Sequence, residues 1–159
     1  MRNRLFVAEH RGGLLSPEDH RSLMKWALLC TEHLSEYHVF PEEEVITSAL
    51  EIGYRWREGN AKTGEAMKAS RAVHAFARTV EDKPSQFYCR AVGQAVATAH
   101  MADHSLGPVW YGRKMLVLLN RDADKEISWQ LERLAGLNPD LLPRVQQELK
   151  KILPMLTLS

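Results

Sequence analysis

Among the seven histidines of the chain, His100 and His104, in Ala99-His100-Met101-Ala102-Asp103-His104, have a spacing that suggests joint chemistry. Residues four apart share one helix face, and two imidazoles so placed can ligate a transition metal. His74, on a preceding predicted helix, is the candidate third ligand if the two helices pair. A Glu directly after the first histidine would make the His-Glu-x-x-His signature of zinc hydrolases, and Met101 stands there instead. Val92, Val96, His100 and His104 also form one i, i+4 row, which gives both histidines an ordinary role as hydrogen-bonding residues at the edge of an apolar stripe.

The other reactive side chains point to less. Cys30 and Cys89 are 59 positions apart, match no metal-ligand spacing and have no neighbouring base in sequence. They read as buried, reduced thiols. Glu42-Glu43-Glu44 is either an acidic binding patch or the first-turn acid cluster that suits a helix N-terminus, with the second reading favoured. Trp26, Trp56, Trp110 and Trp129 fall in four different predicted helices, where packing in a core or an interface is their expected role. No Gly-rich phosphate loop, catalytic carboxylate pair or nucleophile elbow is present. This reading assigns no catalytic, cofactor or metal residue, and keeps His74, His100 and His104 only as weak candidate metal ligands.

The elements that would position these groups are all helical. Ser16-Pro17-Glu18-Asp19 is a strong start signal: a Ser cap, Pro at the first helical position, then two acids. Leu23, Trp26, Ala27, Cys30, Leu34 and Tyr37 follow at helical spacing and predict a helix of about 20 residues. Pro41 and the three glutamates open a second helix, which Gly59-Asn60 closes. A third runs from about Thr63 to Val80. A fourth starts at Lys83-Pro84-Ser85 and carries an Ala- and Gly-rich stripe that another helix can approach closely. Gly107-Pro108 separates it from a fifth, Val109 to Leu119, which is rich in large apolar residues. Asn120 and Asp122 cap a sixth, which Gly136 is expected to end. Asn138-Pro139-Asp140 caps a seventh, with Leu142, Val145, Leu149 and Ile152 on its inner face and Pro154 as its stop. No alternating β-branched run is long enough for a strand. The expectation is an all-α, single-domain bundle of about six to seven helices over residues 16–159, preceded by an N-terminal arm at residues 1–15.

Composition agrees with a globular domain. Of 159 residues, 45% are hydrophobic and 26% charged, which excludes disordered and collagen-like classes. Lys plus Arg is 21 against 20 for Asp plus Glu, so there is no basic excess to neutralise phosphates, and no nucleic-acid partner is expected. The apolar run near the N-terminus stops after four residues, short of a secretory h-region, and no window approaches a membrane span. The cytoplasm is the expected compartment.

Three central segments carry a resemblance. Ala72-Val73-His74-Ala75-Phe76-Ala77-Arg78, then Arg90-Ala91-Val92-Gly93-Gln94-Ala95-Val96-Ala97-Thr98-Ala99-His100-Met101-Ala102-Asp103-His104, then Tyr111-Gly112-Arg113-Lys114, resemble the immunity protein family found beside bacterial polymorphic toxins. Trp26-Ala27-Leu28-Leu29-Cys30-Thr31-Glu32-His33 and Trp56-Arg57-Glu58-Gly59 are similar to it as well, and a fainter likeness continues through Trp129-Gln130-Leu131-Glu132-Arg133-Leu134, so the resemblance covers about residues 16–134. It implies an all-helical antidote that occupies a toxin's working surface inside the producing cell. Family relatives carry Gly-His before the Ala-Val-Ala-Thr segment, where this chain has Gly93-Gln94.

The leading expectation is therefore a non-catalytic immunity protein whose partner is a cognate protein toxin, acting without cofactor or membrane. A metal-binding helical enzyme using His74, His100 and His104 is the first alternative. A regulatory module that forms a homodimer through exposed tryptophans is the second.

Overall fold

A computed structural model describes residues 2–40 and 42–153. Pro41 and Pro154, read above as a helix opener and a helix stop, lie outside the described residues. Among these residues seven α-helices follow in order: α1 Pro17–Leu34, α2 Glu44–Arg57, α3 Thr63–Ala77, α4 Lys83–Ala97, α5 Gly107–Leu118, α6 Ala123–Leu137 and α7 Leu142–Ile152. Among the described residues there is no strand, only an isolated parallel bridge between Ala8 and Leu15. The chain is an all-α single-domain bundle. No helix among these residues is long and apolar enough to cross a membrane.

Side chains named in the sequence set several helix starts. The Ser16 hydroxyl accepts the Asp19 amide at 3.1 Å and so caps α1. Asp82 and Asp122 do the same for α4 and α6, accepting the amides of Ser85 (3.1 Å) and Lys125 (3.0 Å). Gly59 takes φ +83°, the left-handed turn that closes α2.

Helix α1 is the shared wall of two cores. Met24, Ala27 and Leu28 face Ala49, Val73, Val92 and Val96 from α2, α3 and α4. From the other side of α1, Leu23, Trp26 and Cys30 meet Val109, Ile127, Leu134, Val145 and Leu149 from α5, α6 and α7. Trp26 also donates its indole N–H to the Gln130 carbonyl at 2.6 Å, which satisfies its polar edge inside the core. Helix α4 is central, packed on α1, α2, α3 and α5. Its small residues permit this. A Cβ on Gly93 would lie 2.6 Å from the His74 ring of α3, and one on Gly107 of α5 would lie 2.1 Å from the Gln94 Cβ of α4.

Several boundaries differ from the sequence reading. Helix α2 starts at Glu44, with Glu43 as its cap residue and Glu42 before it, and α5 starts at Gly107 rather than Val109. Asn138-Pro139-Asp140 leads into a short 3-10 turn, Pro139–Leu141, before α7 begins at Leu142. Helix α3 ends at Ala77 rather than near Val80. Helix α4 stops at Ala97, because beyond it the amides of Ala99 and His100 bond three residues back, to Val96 and Ala97, and the Thr98 carbonyl is taken by His20 Nε2 at 2.5 Å. Met101 then turns extended and residues 102–106 form a short 3-10 segment. Helix α6 runs through Gly136 to Leu137 and is closed at Asn138. Before α1, residues 2–15 fold onto the bundle, with Phe6 and Leu15 buried in the second core.

Candidate protein-binding surface

Helix α5 carries two apolar rows. Pro108, Val109, Gly112, Met115 and Leu116 are buried, a spacing that puts them on one face. Two residues further on, Trp110, Tyr111, Lys114, Val117 and Leu118 repeat the same spacing on the other face. A helix apolar on both faces is ordinarily enclosed on both. Here the outer row is left half open: Val117 is 55% and Leu118 50% exposed.

Lysine 114 sits within an aromatic patch on this row. Its Nζ lies 4.8 Å from the Trp110 ring centroid, 5.7 Å from Phe87 and 5.8 Å from Tyr111. Cation and rings hold each other in place by charge–quadrupole attraction. Next to the patch, an open groove of about 580 Å³ runs between Gln94, Trp110 and Tyr111 on one side and Glu148 and Ile152 of α7 on the other. Arg2 reaches across the groove to the Asp103 carboxylate, and Asn3 donates to Glu148 at 2.5 Å.

A second feature lies between α1 and α6 and was not found from sequence. Glu126 is 1% exposed, a carboxylate inside the bundle. It accepts from His33 Nδ1 at 2.7 Å, the Tyr37 hydroxyl at 3.0 Å and Gln130 Nε2 at 3.0 Å. Such a buried carboxylate is tolerable only because it is multiply hydrogen-bonded. The Tyr37 hydroxyl is pushed up to about 12 by burial and by its bond to Glu126. Outward from Glu126 the groups stack into a ladder. The His33 and Trp129 rings lie parallel at 3.6 Å, Arg133 sits 5.1 Å over Trp129, and Arg121 sits 4.9 Å over Tyr37. The sequence signal was the row Leu134, Gln130, Glu126 at steps of four, which continues an apolar face into two polar residues.

The three candidate metal ligands are placed differently from one another. Because α4 ends at Ala97, His100 lies in the following turn and His104 in the 3-10 segment, so the pair does not share a helix face. His74 packs on Gly93, and Arg90 donates to its Nδ1 at 3.0 Å. Its pKa is lowered to about 4, first by burial and then by the Arg90, His104 and Arg78 charges. His104 donates from Nδ1 to Gln94 Oε1 at 2.7 Å. Gln94, the departure from the Gly-His pattern, thus lies beside His104 and serves as its hydrogen-bond acceptor. Among the described residues no three His, Cys, Asp or Glu side chains converge as a metal-binding group. Both cysteines are free and buried, and burial raises both thiols, Cys89 to about 11. Neither is a thiolate near neutral pH.

Fold and surface together define a small all-helical protein with a buried Glu126 network inside the bundle and a partly exposed apolar row on α5. The chain belongs to the Imm-5 like putative immunity protein family, whose model matches residues 13–137. The match takes in α1 to α6 and leaves α7 outside. No curated protein and no solved structure matches the chain.

Proposed function

We propose that this chain is a non-catalytic immunity protein of a polymorphic toxin system, which binds and neutralises a cognate bacterial toxin in the cytoplasm through the outer row of α5. Membership of an immunity family supports the class of function. The observation that carries the surface is the second apolar row of α5, with Trp110, Tyr111 and Lys114 ordered against one another and Val117 and Leu118 left half exposed. Binding energy at protein interfaces concentrates in a few aromatic and Arg side chains packed in a rim that excludes water. The α5 row supplies two such aromatics, already held in place before a partner arrives, which lowers the ordering cost of binding.

The test begins with the neighbouring genes: a toxin domain encoded beside this chain in its native genome is expected, and its absence would count against the reading. That toxin domain is then co-expressed with this chain. Wild-type protein restores growth, and Trp110→Ala/Lys114→Glu does not, although the variant keeps its helical circular dichroism. Continued toxicity in the presence of folded wild-type protein would overturn the reading.

A further inference from the structure

On another part of the bundle, between the start of α2, the end of α3 and the first turns of α4, lies a small cavity of about 200 Å³. Its walls are apolar and largely aromatic. Phe40 stacks on Tyr88 with centroids 4.1 Å apart and planes at 16°, Phe76 closes another side, and the buried Cys89 thiol lines the interior. Its charged lining is of one sign, from Glu43, Glu81 and Asp82, with no Lys or Arg among the described residues that line it. Lys83, next in sequence, is turned away and donates to Gln86 at 3.1 Å. His38 approaches Asp82, with its Nε2 3.2 Å from one carboxylate oxygen.

Size and charge narrow the occupant. Small-molecule sites run to roughly 300–1,000 Å³. This cavity is smaller, nearer the ~150 Å³ that holds a benzene-sized group, so it fits a single side chain. An acidic guest would meet three like charges. A neutral apolar guest would fill the walls and leave the carboxylates unused. Lysine and arginine satisfy both halves, with an apolar stem for the walls and a cationic head for the ring faces and the rim.

We propose that this cavity is a socket for a lysine or arginine side chain presented by the partner protein, so that the toxin surface meeting it is basic. The socket's partner, though not the socket itself, rests on the immunity reading above.

Two arms test it. In the first, acetyl-Gly-Gly-Lys-Gly-Gly-amide and its arginine counterpart are titrated into labelled protein at low ionic strength. Saturable shifts centred on Phe40, Phe76, Tyr88 and Cys89 are expected. They should weaken at least about fivefold in Glu43→Gln/Glu81→Gln, which removes charge without removing a helix cap bond, and with a norleucine peptide. Absence of shifts at those residues, or equal response to the norleucine peptide or in the double variant, overturns the socket. In the second arm, the adjacent toxin domain binds the double variant at least about tenfold more weakly than wild type, with the loss shrinking at high salt. Equal affinity for both proteins removes the socket from the interface and leaves the immunity reading intact. Binding to neither removes the immunity reading, and the peptide arm still decides the socket.

Discussion

Glu126 shows how far a single residue can be read. In sequence it is one acid in Asp124-Lys125-Glu126, at the start of a helix where acids are expected on the solvated side. In the fold it is the shared acceptor of His33, Tyr37 and Gln130. Two of the partners, His33 and Tyr37, come from α1 and the turn after it, about 90 positions away, and only Gln130, four residues on in the same helix, falls within a local pattern. Glu126→Ala leaves three donors without their acceptor and should cost about 2–4 kcal/mol in urea unfolding; a loss below about 0.5 kcal/mol would contradict the network. Histidines give the acid side of stability. His20, His74 and His104 all have lowered pKa values, with burial as the largest cause in each. Their neutral forms are favoured in the fold, so below about pH 6.5 the unfolded chain takes up protons that the native state refuses. The contribution is fully present above that pH and is lost as pH falls towards the folded values, about 4 for His74. The melting temperature should therefore fall between pH 7 and 4.5, and fall less in His74→Gln. A melting temperature that stays level across that range would contradict it.

At the scale of elements, periodicity and punctuation located all seven helices, because each buries a face at 3.6-residue spacing and several begin at named caps. Boundaries that depend on tertiary contacts were not legible. The alanine-rich pattern carries on past Ala97, but capture of the Thr98 carbonyl by His20, from a distant helix, accompanies the end of α4. His100 and His104 left a common face for that reason. Gly136 was read as a stop because glycine favours left-handed closure, yet only Gly12 and Gly59 among the described glycines take positive φ. A Cβ on Gly136 meets nothing within 4 Å, so Gly136→Ala should stabilise by up to about 1 kcal/mol through helix propensity and a less free unfolded chain. Gly107→Ala drives a methyl into Gln94 and should cost about 1–3 kcal/mol. Thermal melts of the two variants moving in the same direction would show that the α4–α5 approach is not as close as described.

Across the whole molecule, α1 is shared by two cores, and α5 is apolar on two faces of which one is buried. Its inner row reaches the core, while its outer row is held by Lys114 against three rings and ends in half-exposed Val117 and Leu118. The richness of α5 in large apolar residues was visible in the sequence. Which row would stay open was not, since that depends on the space taken by α4, α6 and α7. A surface of this kind is costly in water unless a partner covers it. We propose that a toxin does so. Calorimetric titration of the adjacent toxin domain into wild-type protein and into Trp110→Ala is the direct measurement. A loss of at least about 2 kcal/mol, or roughly thirtyfold in Kd, is the predicted result, and an unchanged Kd with the fold intact would contradict it.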